Sequence, residues 1–218
     1  MNSIKPKGSQ QWGAALRVYR HPRVLAMLFL GFSSGLPFML VAGTLTARLF
    51  VDGVSMAEIG MFAWVGIMYS IKFVWAPVID RMRLPLLSRW LGRRRSWMLL
   101  AQVGVGLALM GLAYSEPAVG LGGFAWLAVL VAFASATQDV VVDAYRIEAV
   151  ELKVQGAMAA SYQLGYRIAL LVAGAGALYI AQFASWQMAY QAMALLMSVG
   201  IITVLLINEP ESSGSSIS

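Results

Sequence analysis

The sequence contains no cysteine and a single histidine, His21, in 218 residues. Lack of cysteine excludes a disulfide framework, a thiol nucleophile and a thiolate metal site. Charge is scarce too: Asp, Glu, Lys and Arg make up 12% of the chain, about half of what a soluble domain carries. No phosphate-binding loop, soluble catalytic triad or metal cluster is written into it, so neither a resident metal nor a cofactor is expected. What fills the space is apolar. Hydrophobic residues reach 60% and the mean hydropathy is +0.73, which excludes a water-soluble globule.

A hydrocarbon core of roughly 30 Å is crossed by about 20 apolar residues in a helix. Segments of that kind recur at Val24–Phe50, Ala57–Ile79, Trp97–Tyr114, Val119–Val142, Gly156–Phe183 and Trp186–Ile207. They predict an all-α membrane protein with six transmembrane helices over residues 24–207. A basic interfacial N-terminus over 1–23 precedes them, with the first span retained because its apolar run is too long for a cleaved signal. A polar tail over 208–218, "NEPESSGSSIS", is expected to be disordered.

The net charge of +6 would suggest nucleic acid in a soluble protein. Here the basic residues flank apolar spans instead, which makes them topology signals and the lipid bilayer the partner. Lys5, Lys7, Arg17, Arg20 and Arg23 precede span one; Arg81, Arg83, Arg89, Arg93, Arg94 and Arg95 lie between spans two and three; Arg146 and Lys153 lie between four and five. The other loops carry Asp52, Glu58 and Glu116. Both termini are therefore predicted cytoplasmic. "FSSG" in span one and "FASA" in span four are what an inverted three-plus-three repeat would place in corresponding helices.

The run "FASATQDVVVDAYRIE", Phe133 to Glu148, turns from apolar to charged. Asp139, Asp143 and Arg146 are spaced by four and three, so they share one helical face. If the span ends near Arg146, Asp139 lies about 10 Å inside it. An ionised aspartate at such depth costs about 2.5–3.5 kcal/mol, so its face must meet water, protein or a partner charge. Gln138 and Asp139 are accordingly candidates for a polar stripe along a substrate cavity, with Asp139 able to gain and lose a proton. Asp143, Arg146 and Glu148 read as a cytoplasmic charge cluster facing the loop arginines. Lys72 and Arg167 are the other charges within spans. Arg167, deep in span five, predicts a cavity or an acidic partner, and substrate contact and structural pairing both satisfy it. Arg48, near a span end, is expected to snorkel. Gly31, Gly35 and Pro37 in span one form either a packing face with a kink or a hinge on the pathway.

Asp80 and Arg81 close span two and "GRRR" opens span three, with eleven residues between Arg81 and Arg93. This resembles the loop signature of the major facilitator superfamily. Together with "GFSSGLPF", "KFVWAPVIDR", "LGRRRSW" and "ATQDVVVDAYRIE", it is similar to the AmpG branch of that superfamily from about Tyr19 to Pro210. The resemblance implies one half of a major facilitator fold and import of anhydro-muropeptides with protons across the bacterial inner membrane. Peptidoglycan recycling and β-lactamase induction would follow. It also implies a cytoplasmic latch of Asp80, Arg81, Arg93 and Arg94 with Arg146 or Asp143.

Related facilitators move acetyl-CoA or sugars, which keeps the substrate open. "DVVVD", Asp139 to Asp143, also matches a magnesium-binding pattern of membrane prenyltransferases, but the second aspartate-rich motif such an enzyme needs is missing. The resembled transporters carry about twelve spans, with the site between two six-helix halves. A second copy or another chain is expected to supply the missing half; a non-transporting fragment is the alternative.

Overall fold

The computed structural model describes residues 18–117 and 119–210. Among these it is helical without strands, and six helices are long and apolar enough to cross a membrane. They are α1 (Pro22–Val51), α2 (Met56–Val74), α3 (Arg93–Tyr114), α4 (Leu121–Glu148), α5 (Leu152–Phe183) and α6 (Trp186–Leu206). The proposed interfacial segment lies outside the described residues up to position 17, and the predicted tail does so from 211.

The ends of the helices follow local chemistry. Pro22 begins α1, where its missing N–H removes a donor that has no intrahelical partner anyway. His21 caps this end, its Nδ1 accepting from the Arg23 N–H at 3.2 Å. Ser55 and Glu58 form a reciprocal capping box at the start of α2. α2 is the least regular span: tight 3-10 turns occupy Ala63–Gly66 and Lys72–Val74, and a separate helix, Ala76–Arg81, follows. The single span expected over 57–79 is broken there because Pro77 cannot donate a hydrogen bond into the preceding turn. Conversely, α4 runs past the predicted apolar end at Val142 to Glu148, its last turns supported by an Asp143–Arg146 pair at spacing i,i+3.

α1 and α5 form the closest contact in the bundle. A Cβ at Gly31 would overlap the Tyr162 carbonyl, one at Gly165 the Leu28 carbonyl, and one at Gly35 would lie 2.6 Å from Tyr166 O. Only hydrogen fits at these positions, so the Gly31-x-x-x-Gly35 pattern is a packing face on which two backbones meet. Both helices also contain a π turn, Leu40–Thr44 in α1 and Val172–Gly176 in α5. Thr44 Oγ1 donates to Ala173 O at 2.6 Å and ties the two turns together.

Two apolar clusters form the core. One holds Leu36, Leu40, Val105, Leu109, Phe124, Val131, Ala169 and Tyr190. The other holds Val24, Met27, Leu30, Met98, Val141, Tyr145, Met158 and Val204. Along α1, α3 and α4 the same polar layer separates them: Ser33 and Ser34, Gln102, then Ser135 and Gln138, all buried. Gln138 Nε2 donates to Ser33 Oγ at 3.1 Å and Ser34 Oγ at 3.0 Å, while Gln102 Nε2 reaches Ser33 Oγ at 3.4 Å. α6 enters this layer through Gly200, where a Cβ would stand 2.6 Å from Ser33 Oγ and 2.7 Å from Gln102 Nε2. The serines of "FSSG" and "FASA" thus occupy one level of the bundle.

Candidate functional site: an ion-paired basic end and an aromatic-flanked aspartate

The loop arginines fold onto the start of α3, each with a separate task. Arg94 is buried and its guanidinium bridges two acids: Nη1 lies 2.6 Å from Asp80 Oδ1, Nη2 2.5 Å from Glu148 Oε1, and Nε donates to Glu148 Oε2 at 3.0 Å. That two-point grip on Glu148 uses the fork geometry particular to arginine. Arg93 donates to the Asp80 carbonyl at 2.8 Å. Arg95 donates to Val204 O and Leu205 O, each at 2.8 Å, and so binds free carbonyls in the last turn of α6. The Ala76–Arg81 helix, the start of α3, the end of α4 and the end of α6 are thereby joined.

Of the predicted latch residues, the structure brings together Asp80, Arg93 and Arg94. Arg81 is exposed. Asp143 and Arg146 pair with each other at 3.3 Å, and of the three residues expected to face the loop arginines Glu148 is the one that grips Arg94. The reason is helical phase: Glu148 is five residues from Asp143, enough to turn it toward α3. Sequence reasoning also missed Glu209. Its carboxylate accepts from the Arg94 N–H at 2.7 Å and the Arg95 N–H at 3.1 Å, capping α3 across Gly92. Gly92 adopts φ +85°, and a Cβ there would run into the Glu209 side chain. The polar stretch predicted to be disordered from Asn208 therefore holds a packed residue at its second position.

Asp139 sits half-buried on α4, where it accepts from the Tyr162 hydroxyl of α5 at 3.4 Å. Lys72 lies within charge range of it without forming an ion pair at 4.0 Å or less. An aromatic series leads away from Asp139. Tyr162 neighbours Tyr166 with ring centres 6.1 Å apart; Tyr166 neighbours Phe38 at 6.2 Å, and Phe38 meets Tyr69 edge-on at 5.2 Å. Trp75 packs on Phe133 at 5.0 Å and donates through Nε1 to Thr137 Oγ1 at 3.1 Å. Aromatic pairs were invisible as a group in the sequence because they come from four helices.

Gln138, expected beside Asp139 on a cavity, is fully buried instead and turned into the serine layer. Adjacent helical residues diverge by about 100°, so the two cannot share a face. Gly35 is enclosed against Tyr166. Arg167 is exposed on the lateral surface of α5 and makes no hydrogen bond or ion pair with a described residue. Its helix is only 28% buried over its most apolar window, and α2 only 11%; these are the least covered spans.

Arg48 does not snorkel. It turns inward, donating to Leu112 O at 2.7 Å and Ser115 O at 2.5 Å, pairing with Asp52 at 3.5 Å, and resting 5.0 Å and 5.1 Å from the Phe124 and Tyr190 ring centres. The carbonyls of Leu112 and Ser115, at and just beyond the end of α3, attract it more than the interface does, and the two rings stabilise the guanidinium further. It fastens the end of the bundle opposite to the arginine cluster.

Among the described residues no group of His, Asp and Glu is close enough to hold a metal ion. The polar groups join helices or line their faces, in a bundle whose six long helices are apolar enough to cross a membrane. A family model described as acetyl-coenzyme A transporter 1 matches residues 23–119. The chain is 41% identical over 196 residues to the anhydromuropeptide permease of Escherichia coli K12, covering 89% of this chain and 39% of that protein. It is 35% identical over 197 residues to the putative transporter AmpG 4 of Rickettsia conorii, covering 89% and 47%. An uncharacterized protein of Haemophilus influenzae is 39% identical over 190 residues, with 87% and 44% covered. The chain spans less than half the length of these curated relatives. In sequence it is similar to these AmpG-type transporters, and it carries six helices long and apolar enough to cross a membrane.

Proposed function

We propose that this chain is the six-helix, N-terminal half of a permease that carries anhydro-muropeptides together with protons into the bacterial cytoplasm, for peptidoglycan recycling and β-lactamase induction. The 41% identity to a permease with that named substrate, sustained over 89% of the chain, is the observation that carries the substrate class. In this reading both termini are cytoplasmic, the membrane is the inner one, and the arginine-rich end faces the cytoplasm.

Asp139 is the proton site. A carboxyl group that is half-buried, beside one tyrosine hydroxyl and within range of Lys72, can exchange a proton with a modest rearrangement. The aromatic series next to it offers flat apolar surfaces against which a sugar ring packs. Arg167 waits on the uncovered face for a carboxylate of the peptide stem, which a guanidinium binds in two-point fashion. Gln138 acts at one remove, holding Ser34 and the α1–α4 contact rather than touching substrate. Asp80, Arg93, Arg94 and Glu148 hold the cytoplasmic side shut in one conformation, with Arg81, Asp143 and Arg146 at its rim. The second half comes from another copy or another polypeptide.

The test is uptake of labelled anhydro-muropeptide into cells lacking their own permease, with the chain expressed alone and with the complementary half of a relative. Restored uptake that Asp139→Asn abolishes agrees with the proposal. Uptake indifferent to Asp139→Asn removes the proton role. Because a family model for acetyl-coenzyme A transport matches residues 23–119, acetyl-CoA is the second substrate to be offered, and preferential uptake of it would displace the muropeptide.

A further inference from the structure

A groove lies away from Asp139 and the aromatic series. It opens between the first turns of α1 and the last turns of α6, at the arginine-rich end, and encloses roughly 750 Å3. Because α1 leaves this end and α6 returns to it, Arg23 and Ile207 stand at the same level. The walls are apolar: Leu25 and Phe29 on α1 are 46% and 45% exposed, and Ile202 and Leu206 on α6 are 54% and 78% exposed. Thr203 also lines it, but its hydroxyl is taken up by Val199 O at 2.7 Å and adds no free donor.

Charged groups line the groove only at the mouth. His21 and Arg23 line it, and exposed Arg20 stands next to them in the chain. Arg23 is held in place there: one of its guanidinium nitrogens donates to Ala149 O at the end of α4, and its backbone N–H bonds to His21. From Arg23 to Phe29 the groove descends about 9 Å along α1 at the helical rise. A cleft that is basic at the membrane surface and apolar below it complements one class of molecule, an anionic lipid with its headgroup up and a chain down.

We propose that this groove is a binding site for an anionic glycerophospholipid, with the phosphate between Arg20, His21 and Arg23 and an acyl chain along Leu25, Phe29 and Ile202. The position of α1 against α6 is then set in part by the lipid that lies between them. The proposal is independent of which substrate the protein carries.

The experiment is native mass spectrometry of the purified 218-residue chain, delipidated in mild detergent and offered dioleoyl-phosphatidylglycerol or dioleoyl-phosphatidylcholine. One phosphatidylglycerol should remain bound per chain, favoured over phosphatidylcholine by about fivefold or more, the size expected for a basic residue near an anionic surface. Ile202→Trp, at an exposed wall position, should abolish retention of both lipids, and Arg23→Gln should erase the preference while leaving apolar binding. Helix content by circular dichroism separates these effects from unfolding, and Arg20→Gln provides a second charge variant free of the Ala149 contact. Equal retention of the two lipids by the unaltered chain would overturn the proposal. So would retention unaffected by Ile202→Trp, or a lipid-free dimer that Ile202→Trp dissociates, which would assign the groove to a second copy.

Discussion

Thr44 on α1 donates its hydroxyl to the backbone carbonyl of Ala173 on α5 at 2.6 Å. The contact joins two π turns, and a π turn leaves a carbonyl without its usual intrahelical donor. Burial makes that acceptor costly to leave alone.

Replacing Thr44 by Val should therefore lower stability by about 1–2 kcal/mol, because shape is kept while the donor is lost. Thr44→Ser retains the donor and should recover most of the loss. Thermal unfolding in one detergent, followed by circular dichroism, measures both; equal behaviour of the two variants would contradict this role for the hydroxyl.

The meeting of α1 and α5 permits no side chain at Gly165. Gly165→Ala puts a methyl group onto the Leu28 carbonyl, and backbone cannot retreat as a flexible side chain can. The expected loss is about 1–3 kcal/mol or more, visible as reduced yield of folded protein. Gly122→Ala, where no atom lies within 4 Å of the added carbon, serves as the control and should be near neutral.

Arg94 grips Glu148 at two points and Asp80 at one. Arg94→Lys keeps the charge but loses the fork, so it should fall well below the unaltered protein. Both acids are partly exposed, which limits the stability cost to roughly 1–3 kcal/mol, between a surface pair and a buried one. Arg89, an exposed residue of the same loop, should tolerate Ala with little change. A comparison of melting temperatures decides the matter.

Glu209 supplies two acceptors to the first turn of α3. Glu209→Ala should cost about 1 kcal/mol, the usual worth of a cap, and should raise hydrogen exchange at the Arg94 and Arg95 amides. Unaltered exchange there would show that water substitutes for the carboxylate.

The six spans were legible because apolar runs of sufficient length leave little else to a chain. The basic loop was legible as a cluster facing the charges at the end of span four, but which of those charges it meets was not. Glu148 and Asp143 look equivalent in the sequence, and only the continuation of α4 beyond Val142 selects Glu148 to face Arg94. Gln138 and Asp139 are neighbours in sequence, yet the phase of α4 sends one into the serine layer and the other toward Tyr162. Glu209 escaped notice because its surroundings are polar, and a cap from a distant segment leaves no local signal. Arg48 stands near a span end in the sequence, whereas the carbonyls that draw it inward belong to Leu112 and Ser115, more than sixty residues away in the chain.

The serine and glutamine layer between the two apolar clusters gives the bundle a depth mark. Sliding one long apolar helix along another costs little when leucine is exchanged for leucine, since lipid and protein present much the same chemistry. A shift of one turn here would carry Gln102 or Gln138 away from Ser33 and into a wall of hydrocarbon, and would drive Gly200 off the one spot where α6 can come so near. Four helices are thus held to a common height by a few uncharged amides and hydroxyls. The charged residues at the two ends are relieved of that task and left to fasten the ends to one another.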